Sequence, residues 1–255
     1  MNTHLTNLTI LTGASRGLGL AMATQLLQPG QRLLTLSRLR NDALQAQADA
    51  AGVTLEQWPA DLAEPAEVAA RLGAWLAALD GAAFASVTLI NNAAALSEPA
   101  ALADSGAAGL ATSVRVGLEA PLLLSAAFLH ATAGWPGARR VLNISSGLGR
   151  RAMAGAAAYC AIKAGIDHLS RALALEEAAL PNGAKVVSLA PGVIDTDMQV
   201  QLRGADPLRF PEGERFKALK AGGLLDTPAQ AAAKVLAVLA RPDFGSSVIA
   251  DVREI

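Results

Sequence analysis

Three side chains have the types and spacing needed to carry a proton to a carbonyl oxygen. Tyr159 and Lys163 are four residues apart, so both leave the same face of a helix. A phenol titrates near pH 10, and a neighbouring ammonium favours its ionised form, which makes Tyr159 a candidate general acid and Lys163 its tuner. Ser146, in a serine pair at the end of a predicted strand, completes the predicted catalytic set, because sites of parallel sheets form at the carboxyl ends of strands.

A glycine-rich turn at residues 12–19, TGASRGLG, follows the first apolar run and opens a helical pattern. Its glycines permit a tight turn and close approach of a ligand to the backbone. Backbone N–H groups and the helix dipole converge there, as a pyrophosphate requires. The turn predicts a dinucleotide site formed by Gly13, Ser15, Arg16, Gly17, Leu18 and Gly19.

The end of the second predicted strand indicates which dinucleotide is bound. Sites for NAD usually place an acidic residue there to hold the ribose 2′-hydroxyl, whereas this chain has Ser37 followed by Arg38. Arg16 in the turn and Arg40 nearby add two more guanidinium groups, which suit a 2′-phosphate. The sequence therefore favours NADP(H) over NAD.

The elements that position these residues are short apolar runs alternating with Ala/Leu-rich helical patterns. The runs are nearly continuous in apolar residues, which predicts strands buried on both faces and hence a doubly wound, Rossmann-type α/β fold with a seven-stranded parallel sheet. We expect one domain over residues 1–255, with a mobile substrate loop at about 195–225, a stretch without clear periodicity. The predicted strands are 8–11, 32–36, 53–58, 87–90, 141–144, 186–189 and 248–250.

Composition excludes several other classes of protein. The 255 residues carry a formal net charge of −1 without a basic block, which argues against a nucleic-acid partner. Polar or charged groups interrupt every long apolar run, so no membrane span is expected. The histidines lack metal-ligand spacing, so no metal is expected. The single cysteine, Cys160, and the lack of a signal-like N-terminal pattern predict a reducing, cytoplasmic setting.

Several motifs in order resemble those of the short-chain dehydrogenase/reductase family, over essentially the whole chain. They are the turn at 12–19, Asp61-Leu62 after the third predicted strand, Asn91-Asn92-Ala93, the set Ser146, Tyr159 and Lys163, and Pro191-Gly192 with Thr196. The resemblance implies a small-molecule carbonyl or alcohol substrate. It also implies a homodimer or homotetramer.

The same resemblance implies a role for most of these residues. Asp61 and Leu62 would contact the adenine, and Asn92 would line the adenosine ribose. Lys163 would also bind the nicotinamide ribose. The PGVIDT segment, which contains Pro191, Gly192 and Thr196, would lie against the nicotinamide, with the backbone of Val193 at its carboxamide. Ser146 would hold the substrate carbonyl.

One departure from the family pattern bears on catalysis. The segment VGLEAP at 116–121 resembles the family's VNLxAP, whose asparagine supports a water-mediated proton relay to the catalytic lysine, but Gly117 stands in that place. The resemblance therefore implies either an active carbonyl reductase with another relay or a catalytically weak NADP(H)-binding sensor. A 3-oxoacyl reductase or an alcohol dehydrogenase of the same family is the alternative among enzymes.

The C-terminal stretch is similar to the tails of sepiapterin reductases and of benzil reductases, which reduce one carbonyl of a vicinal dicarbonyl. In sepiapterin reductase an aspartate near the C-terminus anchors the pterin, and Asp251 has comparable spacing, so a substrate contact is implied there. Arg150 and Arg151 border the pocket in this family and would suit an acidic substrate, although a solvated pair is favoured.

Overall fold

Seven parallel strands form the sheet of a computed structural model that describes residues 6–207 and 209–254. The strand order is β3-β2-β1-β4-β5-β6-β7. Each predicted strand is present within a few residues, so the predicted fold class is confirmed. The strands are β1 (Thr6–Thr12), β2 (Gln31–Ser37), β3 (Thr54–Pro59), β4 (Phe84–Asn91), β5 (Ala138–Ile144), β6 (Lys185–Ala190) and β7 (Ile249–Asp251).

Helices cover both faces of the sheet because successive strand residues point to opposite sides. Ile10 and Leu11, both fully buried, belong to two separate apolar clusters. The Leu11 cluster includes α1 and α9, and the Ile10 cluster includes α3 and α5. The helices are α1 (Gly17–Gln25), α2 (Asp42–Ala51), α3 (Pro65–Ala77), α4 (Ala107–Val114), α5 (Ala120–Ala131), α6 (Ala157–Ala178), α7 (Asp197–Arg203), α8 (Gly213–Ala221) and α9 (Pro228–Leu239).

A π-helical turn, Arg115–Glu119, joins α4 to α5 in one continuous helix with buried Gly117 in the turn. By length and composition this helix, Ala107–Ala131, could cross a membrane. It packs instead on α3, and its Leu124 and Phe128 are fully buried in the core. Its apolar character therefore fits its place against the sheet.

The segment predicted as a substrate loop contains two short helices, α7 and α8, which pack on each other. The rings of Phe210 and Phe216 stack at 5.9 Å between centroids, and both rings pack with Met153. Lys220 and Arg203 donate hydrogen bonds to Asp195. The sequence predicts a loop here because it shows no helical pattern. Helices of seven and nine residues bury too few side chains to produce such a pattern.

The strand order reverses direction between β1 and β4, and a crevice opens there at the carboxyl edge of the sheet. The turn after β1, the residues after β4 and the serine pair after β5 all lie along this edge. The fold thus brings the predicted site residues together.

Candidate active site

The glycine-rich turn is packed so closely that its glycines have little room for a side chain. Gly13 has a φ of +74°, and a Cβ there would lie 2.9 Å from Ala93 Cα. A Cβ on Gly19 would lie 2.1 Å from the Gly13 carbonyl oxygen. The Asn92 side-chain amide donates to the carbonyl oxygens of Thr12 (2.9 Å) and Gly13 (3.2 Å), so Asn92 also fixes the turn.

The first turn of α1 has free backbone donors. Arg16 is its N-cap in extended conformation, and no side chain caps the helix. The unpaired N–H groups of that turn and the helix dipole suit a pyrophosphate, and the close glycine packing leaves its approach open. The residues present therefore fit a dinucleotide.

Two arginines line the part of the crevice next to β2 and the glycine-rich turn. Arg38 lines the cavity and is exposed, directly after β2. Arg16 lines it too, and its Nη1 lies 3.0 Å from Asp197 Oδ2. The Ser37 hydroxyl accepts a hydrogen bond from the Ala14 N–H at 2.8 Å, so Ser37 holds the turn against β2. Arg38 is therefore the residue at the end of β2 that is available to a ligand.

Tyr159, Lys163 and Ser146 meet at the carboxyl end of β5. The Ser146 hydroxyl is near enough to Tyr159 to lower the pKa of its phenol, and Lys163 Nζ lies 5.7 Å from the centre of the Tyr159 ring. The ammonium of Lys163 donates to the carbonyl oxygen of Ile144 at 2.7 Å. One side of the cavity thus holds a phenol, a hydroxyl and an ammonium.

Burial dominates the titration of this group. It raises the pKa of the Tyr159 phenol, and the Ser146 hydroxyl only partly opposes that rise. Burial also lowers the pKa of Lys163 to about 8, against the opposing effect of the Asp167 carboxylate. At neutral pH the tyrosine is protonated and the lysine is largely charged.

Asp167, one helical turn after Lys163, organises the loop that carries the serine pair. It is 2% exposed, and its Oδ1 accepts hydrogen bonds from the hydroxyls of Ser145 and Ser188, each at 2.6 Å. Its Oδ2 accepts from Arg150 Nε at 3.2 Å, and Arg150 Nη2 donates to the Ala250 carbonyl oxygen at 2.9 Å. Arg150 is exposed, as the sequence favours, and these two partners fix its guanidinium.

A single cavity of about 930 Å³ collects the predicted site residues except one. It continues past the serine and tyrosine to an apolar end lined by Leu148, Met153, Leu202 and Phe216. The predicted residues that line it are Gly13, Ser15, Arg16, Gly17, Leu18, Gly19, Arg38, Asp61, Leu62, Asn92, Ser146, Tyr159, Lys163, Pro191, Gly192, Val193 and Thr196.

Asp251 is the residue that does not line this cavity. It is 2% exposed, and its carboxylate accepts three hydrogen bonds from Arg253. The donors are the backbone N–H (3.0 Å), the side-chain Nε (2.8 Å) and the side-chain Nη2 (2.5 Å). The Arg253 guanidinium holds the pKa of Asp251 below its usual range. Arg253 itself lines the cavity, so the side chain presented there is a cation, and the substrate contact of Asp251 stays a prediction.

Two further lining residues escaped sequence reasoning. Gln199 on α7 is 7% exposed, and its side-chain oxygen has no partner among the described residues. Arg215 on α8 lies beside Phe216 at the apolar end. Gln199 and Arg215 belong to the segment predicted as a loop. Its apolar residues show no regular spacing, so the sequence did not indicate which of its side chains face the cavity.

The place of the family's asparagine is closely packed. A Cβ on Gly117 would lie 2.7 Å from Cγ2 of Ile162, the residue before Lys163. The Ile162 methyl group therefore occupies the space next to Gly117 where a longer side chain would begin.

Comparison with known proteins places these features in a family. The sequence model of the short chain dehydrogenase family matches residues 7–206 of this chain. Benzil reductase ((S)-benzoin forming) of Bacillus cereus is 32% identical over 245 residues, covering 96% of this chain and 98% of that protein. Sepiapterin reductase of Meriones unguiculatus is 34% identical over 252 residues, covering 95% and 94%.

Solved structures of the same kind superpose over nearly the whole chain. A short-chain dehydrogenase from Sphingobium yanoikuyae in complex with NADPH has a TM-score of 0.73 and 25% identity, covering 96% of this chain and 87% of that one. A 3-oxoacyl-[acyl-carrier protein] reductase from Brucella melitensis in complex with NAD has a TM-score of 0.79 and 23% identity, covering 97% and 95%. The second similarity concerns the fold alone.

Proposed function

The chain belongs to the short-chain dehydrogenase family, and on that premise we propose that it is an NADPH-dependent carbonyl reductase acting on a ketone or a vicinal dicarbonyl. The observation that carries the proposal is the meeting of Ser146, Tyr159 and Lys163 in the same cavity as the glycine-rich turn. The relatedness to benzil reductase and sepiapterin reductase supports a carbonyl substrate.

When bound, NADPH supplies a hydride to the carbonyl carbon, whose π electron pair moves to the oxygen. Tyr159 transfers its phenolic proton to that oxygen, and the raised pKa keeps this proton in place at neutral pH. The Ser146 hydroxyl donates a hydrogen bond to the same oxygen, where negative charge grows in the transition state. The Lys163 ammonium beside the ring stabilises the tyrosinate that remains.

The preference for NADPH rests on the arginines at the adenosine end. Arg38 is exposed at the end of β2, where an acidic residue would be expected in an NAD site. Arg16 adds a second guanidinium from the glycine-rich turn. Guanidinium groups bind phosphate oxygens in bidentate fashion, so both side chains favour a 2′-phosphate.

A catalytically weak NADP(H)-binding sensor is the second candidate, and the packing at Gly117 is the observation that favours it. Gly117 offers no side-chain amide to a relay, and Lys163 Nζ donates to the Ile144 carbonyl oxygen, so a relay to Lys163 must use other groups. Oxidation of an alcohol, or reduction of a 3-oxoacyl thioester, would use the same three catalytic residues.

The deciding experiment measures NADPH consumption at neutral pH with vicinal diketones, simple ketones and 3-oxoacyl thioesters. NADH and the Tyr159→Phe protein serve as controls. We expect turnover that prefers NADPH and is lost in the variant. Tight NADPH binding without turnover of any carbonyl compound would replace the reductase with the sensor.

We further propose a single domain that assembles into a homo-oligomer through its long helices. Val114 and Leu122 on the continuous helix and Leu175 on α6 are large apolar side chains that are 42%, 46% and 77% exposed. Exposed apolar residues on two neighbouring helices suit contact with a second copy. Light scattering of the purified protein tests this, and a monomer at micromolar concentration contradicts it.

A further inference from the structure

The apolar end of the cavity carries a positive charge. Besides Arg16 and Arg38, three guanidinium groups line the cavity, those of Arg151, Arg215 and Arg253. Carboxylates face two of them: Asp251 pairs with Arg253, with the Glu254 carboxylate also near it, and Glu212 lies 3.8 Å from Arg215. Arg215 and Arg253 thus have carboxylate partners, whereas Arg151 has no ion pair among the described residues and keeps its positive charge in the cavity that holds the catalytic residues.

Arg253 is held in place for binding an anion. Its Nε and Nη2 bond to the buried Asp251 carboxylate, which leaves Nη1 free to donate. The side chain is 59% exposed, and its Nη2 would lie 3.9 Å from a Cβ on Gly147, the residue after Ser146. A guanidinium fixed in this way loses little entropy when it binds a carboxylate.

Arg151 supplies the uncompensated charge. It lines the cavity on the loop between Ser146 and Tyr159, and it has no ion pair within the described part of the chain. Two carboxylates also line the cavity. Asp61 lies on the loop after β3, and Asp197 forms an ion pair with Arg16. Neither one neutralises Arg151.

We propose that the substrate is a carbonyl compound with a carboxylate next to the reacting carbonyl, that is, a 2-oxo acid with an apolar remainder. The carboxylate lies against Arg151 and Arg253, and the remainder packs on Met153 and Phe216. This inference rests on the proposed reductase function and names the substrate class of that same site.

The test uses two substrates that differ by one methyl group and the negative charge, phenylglyoxylate and its methyl ester, each assayed with NADPH. We expect the acid to have the higher kcat/KM. Charge-assisted hydrogen bonds of this kind change binding by about 10- to 100-fold, so Arg151→Gln should lower the acid-to-ester ratio by at least about tenfold, mainly through KM. Arg253→Gln should lower it as well.

Arg241→Gln is the matched control, because Arg241 pairs with Asp243 on the surface and does not line the cavity. Should Arg253→Gln misfold because it exposes the Asp251 charge, Arg151→Gln still decides the question. Equal or better turnover of the ester by the unaltered protein overturns the charge inference and leaves the reductase standing. Failure to reduce either compound, or any other ketone, overturns both.

Discussion

Adding a side chain at Gly117 tests the packing that distinguishes this chain from its family's pattern. A Cβ there lies 2.7 Å from Ile162 Cγ2, whereas ordinary contact begins at 3.4 Å, so the methyl group must retreat by about 0.7 Å. Overpacking of a buried site costs about 1–3 kcal/mol. Replacing a glycine inside a helix with alanine stabilises the folded protein by about 0.5–1 kcal/mol, which offsets part of that cost. Taking the middle of each range, we expect Gly117→Ala to lose about 1 kcal/mol and Gly117→Asn at least as much.

The assay is thermal unfolding by calorimetry. For a chain of this size a loss of 1 kcal/mol lowers Tm by about 2–4 °C, which is the fall expected for Gly117→Ala. Gly109→Ala in the same continuous helix is the control, because its nearest neighbour, Ser97 Cβ, is 4.0 Å away and the exposed position has room. That variant should keep or raise Tm.

A double variant locates the clash. Ile162→Leu removes the Cγ2 branch while keeping the volume of the side chain, so it should restore most of the stability of Gly117→Ala. The reasoning is refuted if Gly117→Ala is as stable as the unaltered protein. It is also refuted if Gly117→Asn speeds reduction without loss of stability, because the asparagine would then fit the relay position.

Three other predictions concern the proposed chemistry. Tyr159→Phe should lower kcat by at least about 100-fold and leave the NADPH dissociation constant, measured by fluorescence titration, within about threefold, since the phenol acts as a general acid. Arg38→Asp should shift the NADPH-to-NADH ratio of kcat/KM toward NADH by at least about tenfold, whereas Arg40→Asp, which does not line the cavity, should not. Carbonyl reduction should fall as the pH rises through about 8, where Lys163 loses its proton, and Asp167→Asn should move that fall to lower pH because the Asp167 carboxylate raises the pKa of Lys163.

Each of these has an outcome that contradicts it. Retained turnover in Tyr159→Phe removes Tyr159 as the proton donor, and an unchanged cofactor ratio in Arg38→Asp makes Arg38 a surface charge. A pH profile that is identical in Asp167→Asn removes the carboxylate from the titration of Lys163. The free energy of unfolding offers an independent check: it should rise between pH 8 and the unfolded pKa of Lys163, about 10.4, because the unfolded chain binds more protons there.

The sheet and most of the candidate site were predictable because both depend on local signals. Buried parallel strands are continuous apolar runs, and the glycine-rich turn needs glycines at fixed spacing. Tyr159 and Lys163 share a helix face by spacing alone. Features of this kind require only neighbouring residues to be interpreted.

The remaining features depend on side-chain orientation and on packing, which the spacing of residues does not reveal. The pairing of Asp251 with Arg253 decides which of the two reaches the cavity, and side-chain orientation after a three-residue strand cannot be read from spacing. The packing of Gly117 against Ile162 joins residues of different helices. Gln199 lies on a helix too short to show a pattern.

The bonds of Asp167 have a consequence for how the protein opens. This one carboxylate joins α6 to the ends of β5 and β6, and through Arg150 it reaches β7. Strands β6 and β7 cannot unfold one at a time, because the unfolding of either one breaks the hydrogen bonds of the same Asp167–Arg150 pair. Amide protons along β6 and β7 should therefore exchange with solvent as one cooperative unit. This part of the sheet should either stay folded or unfold as a whole.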